Sequence, residues 1–471
     1  MNQQDIKNQL QEMFGEHFIT DEEVLKERSS DLIGYRRWER FNGAYLAEKP
    51  MGVIMAQNTE DVSRALAFCN QNKVLVVPQC GRSCVCSGTE TYEGSVVLDG
   101  TAMNGILKFD EENYMVTVGC GTPLKYLEEY CNQKGYTTGH FPQSLPLAQM
   151  GGLVSTRSIG QLSTLYGGIE DLLIGLEAVL ADGSVVRIKN VPRRAAGPDL
   201  RHLFMGSEGN IGFVTEVTVK LFKRYPENWM GAFGIDSVKA GLDAIREIMQ
   251  DGYRPAVVRL HDAVETEMTY KKFINEGESI LLFVCEGPES IRNATGAAIM
   301  EIVQKHGGRP LGEKPVELWY QVRNDTCDDL YRANKQGLLR DTCEISGNWS
   351  DIYSIYENVL KRFPQEIEDV VQISAHSSHS YQTGTNMYFV FSWKGVKDLA
   401  KSEQQYDTAM GIIMEETLRF GGSICHHHGV GKYRTKWMDQ EHGSSYQMMY
   451  TLKDAFDPNG IMNTGTFLPK R

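Results

Sequence analysis

Three consecutive histidines, His426, His427 and His428, stand ahead of Gly429-Val430-Gly431-Lys432. An imidazole gives or takes a proton near neutral pH, so the run can serve acid–base chemistry. Three successive residues on a regular element cannot all face one way; one or two reach a site while another packs or meets solvent. Tyr381 and Tyr388 lie in SHSYQTGTNMYFVF. A strand tyrosine packs as readily as it reacts, and its phenol relays a proton if neighbours lower its pKa. Arg259, in PAVVRLHD, can hold a phosphate or carboxylate if it opens into a pocket; otherwise it is a solvated strand end. Arg340, in GLLRDTCE, and Arg323, in WYQVRND, offer the same fork. Cys80, Cys84 and Cys86 crowd PQCGRSCVCSG, but a metal centre needs a second pair or histidines at matching spacing, which do not accompany them. No metal is expected.

Small residues concentrate from Pro142 to Asp171, PQSLPLAQMGGLVSTRSIGQLSTLYGGIED. Glycines let backbone approach a ligand, and free amides can cradle a diphosphate; the same composition also serves close packing. A second such turn, Cys80-Gly81-Arg82-Ser83-Cys84, follows the buried strand VLVVP.

The elements that must position these residues read as follows. Residues 1–46 are helical at first, with Ile6, Leu10, Met13 and Phe14 at helical spacing. Thr20 and Glu23 form a capping-box pattern before Val24 and Leu25, and SSDLIGYRRWERFNGAYLAEKP reads as irregular. Thr59 opens a helix through Val62, Leu66 and Cys69. MGVIMA, SVVLD and YMVTVG are strands, TPLKYLEEYCNQ is a helix, and LIGLEAVLADGSVVRI is a hairpin turning at Asp182-Gly183. Beyond residue 226, PAVVRLHD, SILLFVCEG, VVQISAHS and NMYFVFSW read as strands. SVKAGLDAIREIMQ, SIRNATGAAIMEIVQKHGG and WSDIYSIYENVLKRF read as helices on one face of their sheet.

With 471 residues the chain makes two to three domains. Its net charge of −13 argues against nucleic acid and against an anionic membrane surface. The polar start MNQQDIKNQLQEMF is no signal peptide. The longest stretch free of Asp, Glu, Lys and Arg, Gly135 to Thr156, carries two prolines and is no membrane span. Ten scattered cysteines read as reduced thiols, and a cytoplasmic location is expected. The amphipathic first helix either docks on a membrane or covers the core.

The small-residue stretch resembles the flavin-wrapping segment of the FAD-linked oxidase family, with the vanillyl-alcohol oxidase/p-cresol methylhydroxylase fold. Within it the chain looks most like the alkylglycerone-phosphate (alkyl-dihydroxyacetonephosphate) synthases. Their P-x-S…GG-x-V-x-T-R-x-x-G…YG-x-IED is matched by Pro142, Ser144, Gly151, Gly152, Val154, Thr156, Arg157, Gly160, Tyr166, Gly167, Ile169, Glu170 and Asp171. GSEGTLG-x-x-T is kept as Gly206 to Gly212, then Val214 and Thr215. HHHGVGK-x-R-x-x-W is kept as His426 to Lys432, Arg434 and Trp437. The diphosphate turn departs from P-x-G-G-G-T-S-x-S: Cys80 and Arg82 replace glycines, Ser83 replaces threonine and Cys84 replaces serine. Arg82 either neutralises the diphosphate or points to solvent.

The resemblance implies an α+β protein: a two-subdomain PCMH-type FAD-binding domain (47–225), after an N-terminal helical segment (1–46). An α/β cap domain with an antiparallel sheet (226–425) follows, and a C-terminal segment (426–471) returns to the FAD domain. It implies FAD, bound non-covalently because Ser83 stands where relatives carry a linking histidine. The implied cofactor-binding residues are Pro78, Cys80, Gly81, Arg82, Ser83, Cys84, Pro142, Ser144, Gly151, Gly152, Ser155, Thr156, Gly160, Tyr166, Gly167, Ile169, Asp171, Glu208, Gly209, Gly212 and Val214. Tyr388, His426, His427, His428 and Arg340 are the implied catalytic residues, with Arg259 and Tyr381 on the substrate, and a homodimer is expected. The implied reaction exchanges the acyl group of acyl-dihydroxyacetone phosphate for a fatty alcohol. The alternative is an FAD-dependent dehydrogenase or oxidase of an alcohol or 2-hydroxy acid. D-2-hydroxy-acid dehydrogenases of this fold grip substrate with a metal on two histidines and a glutamate; Tyr381, Tyr388 and His427 fall at those places, although His376 and His379 sit close by.

Overall fold

Val76 and Val77, both buried, belong to the first layer of this computed structural model, which describes residues 2–470, with the side chains of 326–330 excepted. The strands lie in the order Phe18–Ile19, Gly52–Met55, Val96–Asp99, Val76–Gln79, with the last three parallel. Parallel strands bury both faces and read as continuous apolar runs, as VVLD and VLVVP do. Ile6, Leu10 and Phe14 of helix Gln3–Phe14 and Val62, Leu66 and Cys69 of helix Thr59–Asn72 complete this core. The apolar face of the first helix is therefore spent on the core and not on a membrane. Among the described residues no helix is long and apolar enough to cross one.

Two caps differ from the local reading. Asp21, not Thr20, accepts from the amides of Glu23 and Val24, and Asn58, not Thr59, accepts from Asp61. In each case the side chain next to the expected cap, one residue later for Asp21 and one earlier for Asn58, reaches the first-turn N–H groups. The stretch read as irregular contains helix Gly34–Phe41. Its anchors are distant in sequence: Gly34 N donates to Asp341 at 2.7 Å, Arg37 pairs with Asp341 at 3.0 Å, and Trp38 Nε1 donates to the Val396 carbonyl. No local pattern carries that information.

The second sheet is antiparallel, ordered Ile106–Asp110, Met115–Gly119, Gly212–Lys220, Leu173–Leu180, Val185–Ile188. Gly183, at φ +88°, makes its hairpin turn.

The third sheet has seven antiparallel strands: Arg309–Gly312, Trp229–Ile235, Ser279–Cys285, Val257–His261, Val370–Ser377, Gly384–Lys394, Leu338–Asn348. Helices Val238–Gln250, Glu289–Lys305, Ile352–Glu366 and Leu399–Arg419 bury one face through residues such as Ile245, Val303, Phe363 and Ile413. The edge strand Leu338–Asn348 escaped the sequence reading because Arg340, Asp341 and Glu344 interrupt its apolar run. Asp341 is buried with Arg37 and Tyr406, and Glu344 with Arg434, so the charges are satisfied only by tertiary partners. The chain finally returns to the first sheet, where Met462 bridges Val76 in parallel.

Candidate active site

A cavity opens where the first two sheets meet the other face of the third, part of which is covered by helices Ala263–Tyr270 and Lys314–Val322 through Tyr270, Val316 and Trp319. One wall is the turn after Val76–Gln79, with Pro78, Cys80, Gly81, Arg82, Ser83 and Cys84. Arg82 takes φ +53°, and among the described residues no group accepts from the amides of Gly81, Arg82 or Ser83. Successive free amides around a left-handed residue form an anion cradle. A Cβ on Gly81 would lie 2.3 Å from the Leu147 carbonyl oxygen and 2.9 Å from Gln149 N, so the turn sits directly on the facing backbone. The Arg82 side chain pairs with Glu27 at 2.8 Å and is turned outward.

The facing wall brings Pro142, Ser144, Gly151, Gly152, Ser155 and Thr156 to the cavity; a Cβ on Gly152 would meet only open space. Glu208, Gly209, Gly212 and Val214 close a third side. Glu208 also accepts from the amides of Val430 (2.7 Å) and Gly431 (2.9 Å), clasping the histidine loop to this wall. Five residues of the expected set stand outside the cavity lining. Gly160 packs on Phe141, Tyr166 donates to Glu286, Gly167 (φ +88°) turns the chain, Ile169 is buried, and Asp171 accepts from Gly168 N. They shape the turns that carry the wall. The free amides and the glycine-lined walls fit an elongated anionic cofactor such as FAD.

The third sheet presents a polar face to the cavity, because strand residues two apart share a face. Arg259 is 9% exposed, and among the described residues no carboxylate pairs with it. Its Nε donates to His261 Nε2 at 3.2 Å, which leaves the proton of His261 on Nδ1. That Nδ1 donates to Glu265 at 3.1 Å, and His376 Nδ1 donates to the same carboxylate at 2.9 Å. Glu265 lies on helix Ala263–Tyr270, capped by Asp262. Burial pushes its carboxyl upward, but His376 and His261 overcome that and hold it well below the ordinary range. Burial lowers His261 to about 4 and lowers His376 as well. His376 lines the cavity, no group among the described residues donates to its Nε2, and its ring stacks on Tyr388, ring centroids 4.7 Å apart. The Tyr388 hydroxyl meets Thr342 Oγ1 at 3.0 Å. Burial pushes its phenol upward, so Tyr388 keeps its proton and lacks the lowered pKa that a relay would need.

The histidine run follows Cys425 as a loop. Glu344, fully buried, accepts from the amides of His427 (2.9 Å) and His428 (2.5 Å) and pairs with Arg434 at 2.7 Å. His427 and His428 line the cavity. His426 lies in the wall of a neighbouring cavity, where Tyr381 OH meets its Nε2 at 2.7 Å. That second cavity has an apolar floor, with Ile211, Met438, Met449 and Phe467, and a polar rim, with Arg157 and His202. Burial lowers His426 to about 4 and holds His427 and His428 below the ordinary value. Arg340 lies on the same strand face as Thr342 and Glu344 but lines neither cavity. Arg323 stacks over Phe141, Trp319 and Tyr320.

Sequence reasoning passed over Glu265, His261, Glu344 and Thr342. The i, i+4 spacing of His261 and Glu265 was a signal, but histidine and glutamate at that spacing are commonplace on helix surfaces.

A family model described as the FAD binding domain matches residues 50–189, and one described as FAD linked oxidases, C-terminal domain, matches residues 227–467. The chain is 48% identical over 477 residues to an uncharacterized FAD-linked oxidoreductase, YgcU, of Escherichia coli (strain K12), covering 98% of each. It is 28% identical over 435 residues to a mitochondrial D-lactate dehydrogenase [cytochrome] of Arabidopsis thaliana, covering 89% of this chain and 74% of that one. A solved structure of alkyldihydroxyacetonephosphate synthase superposes with a TM-score of 0.83 at 20% identity, covering 100% of this chain and 86% of the other; it supports the fold alone.

Proposed function

The chain belongs to the FAD-linked oxidases, and from that premise we propose that it is a flavin-dependent dehydrogenase oxidising the hydroxyl-bearing carbon of a small anionic substrate, a 2-hydroxy acid or a close analogue. The observation that carries this reading is the pairing of an unmatched buried cation with an oriented base on one cavity face: Arg259 and the Glu265–His376 pair. Burying a charge without a partner is costly, which favours a substrate anion as its complement. Arg259 would hold a carboxylate or phosphate in fork geometry. His376 Nε2 would take the hydroxyl proton, and the imidazolium so formed is stabilised by Glu265 across Nδ1. Tyr388, kept protonated, would donate to the substrate oxygen. FAD, when bound along the Gly81 and Gly152 walls, supplies the two-electron chemistry. A cytoplasmic, homodimeric enzyme belongs to the same proposal.

One observation favours the second reading, acyl-for-alkoxy exchange on a dihydroxyacetone phosphate ester. The second cavity has an apolar floor behind His426 and His427 that would suit an alkyl chain. The experiment is an anaerobic visible spectrum of the purified protein. Bleaching by a D- or L-2-hydroxy acid supports the dehydrogenase. An unchanged spectrum with release of palmitate from palmitoyl-dihydroxyacetone phosphate in the presence of hexadecanol replaces it with the transferase.

A further inference from the structure

The mouth of the second cavity combines unpaired cations with exposed apolar side chains. Between Asp182 and Asp199 the chain carries no acidic residue and four cations, Arg187, Lys189, Arg193 and Arg194. Arg187 is taken up by Glu177 and Glu216. Lys189, Arg193 and Arg194 are exposed, and among the described residues no carboxylate pairs with them. Their loop leads into the turn Leu200–Leu203, where Leu200 is 51% exposed and His202 and Leu203 line the second cavity. Another wall of that cavity is helix Tyr446–Phe456, which sets Met449 and Leu452 in the lining. Met448, four residues before Leu452 and on the same helix face, is 66% exposed. We propose that this rim docks on an anionic lipid bilayer, with Lys189, Arg193 and Arg194 at the headgroups and Leu200, Met448 and Leu452 entering the interface.

A bilayer matches both parts of the rim. Cations near an anionic leaflet gain from its surface potential, and large apolar side chains leave water in the interfacial layer. Apolar residues exposed singly are ordinary, but three around one cavity mouth, beside three unpaired cations, mark an interaction surface. The net charge of −13 does not oppose the contact: at physiological salt, charges more than about 8 Å from the interface are largely screened, so the local patch decides. Nearby acids are few. Asp199 is held by Arg201 at 2.6 Å, and helix Tyr446–Phe456 carries one acidic residue, Asp454. Behind the rim the cavity encloses about 750 Å³ over its floor of Ile211, Met438, Met449 and Phe467. An apolar ligand arriving from the bilayer would therefore pass between two apolar environments without crossing water. A second copy or a protein partner would need a broad apolar area, whereas here the apolar residues ring an opening.

The test is co-sedimentation of the flavin-loaded protein with vesicles of phosphatidylcholine, alone or mixed with phosphatidylglycerol, at about 0.1 M salt. The expected result is retention on the anionic vesicles only, weakened at high salt. Arg193→Gln combined with Arg194→Gln should lower the partition coefficient about 25-fold, roughly fivefold per cation. Met448→Ser should lower it about tenfold. Lys239→Gln combined with Lys305→Gln, on helices covering the face of the third sheet away from the cavities, should leave it unchanged. Flavin content and melting temperature report that each variant is folded. No retention on anionic vesicles, retention undiminished in both rim variants, or an equal loss in the control pair overturns the proposal. A parent protein that ignores vesicles but is a dimer, made monomeric by Met448→Ser, overturns it too and gives the rim to a second copy. These readouts involve no substrate, so the docking face and the proposed reaction stand or fall separately.

Discussion

Replacing Arg259 with methionine should lower substrate affinity without a loss of stability. Arg259 is nine-tenths buried, makes one hydrogen bond to His261 and lies 5.6 Å from the Trp319 ring; no described carboxylate forms an ion pair with it, and Glu265 offsets its charge only from beyond His261. Burial already lowers its pKa, the mark of a cation held without adequate compensation. A hydrogen bond to a charged group contributes about 1.5–3 kcal/mol, so a two-pronged contact with a substrate anion is worth roughly 3–4 kcal/mol. That converts to a 10²–10³-fold loss in kcat/KM, about tenfold per 1.4 kcal/mol. Without substrate the same replacement removes an unpaired buried charge and keeps much of the side-chain volume, which is neutral or stabilising. The assay pairs anaerobic flavin reduction by a 2-hydroxy acid with thermal melting of the substrate-free, flavin-loaded protein. The reasoning is refuted if kcat/KM falls less than about fivefold, or if an uncharged alcohol suffers the same loss.

Glu265→Gln should lower kcat by about 10²–10⁴ with flavin content unchanged, since an amide can misplace the His376 proton. Its pH profile separates this from a packing defect. His376 must be neutral to act, so activity falls with acid below the ordinary imidazole value of 6.5, where burial has placed it. Around His376 stand Glu265, His261, Arg259 and Tyr388; of these the glutamate raises its pKa, so in Glu265→Gln the acid limb should move to still lower pH, as steady-state kinetics would show. Gly81→Ala should give protein with little bound flavin by absorbance, because its Cβ would collide with the Leu147 carbonyl and Gln149 amide. Glu344→Gln strands the buried Arg434 and should cost about 3–5 kcal/mol in denaturant titration.

The chain's own pattern was enough to indicate two kinds of layer and the walls of the cavity. Period-two and continuous apolar runs marked most strands, and the glycines at 81, 151, 152, 209 and 212 marked backbone that lines the cavity. Those signals are local: chain stiffness, turn geometry and burial act over a few residues. The polar face of the third sheet was only partly legible. Arg259, Tyr388 and the histidine run were visible as motifs, but their relations were not. Glu265 is an ordinary helical carboxylate until His376, 111 residues later, closes on it. Glu344 and Asp341 made their strand look unlike one until Arg434 and Arg37 arrived from elsewhere. The gathering of His379 with His426 and His427 likewise depends on the end of one inner strand meeting one loop. Electrostatic and hydrogen-bonding geometry is set by side chains distant in sequence and adjacent in space, so only the tertiary structure decides it.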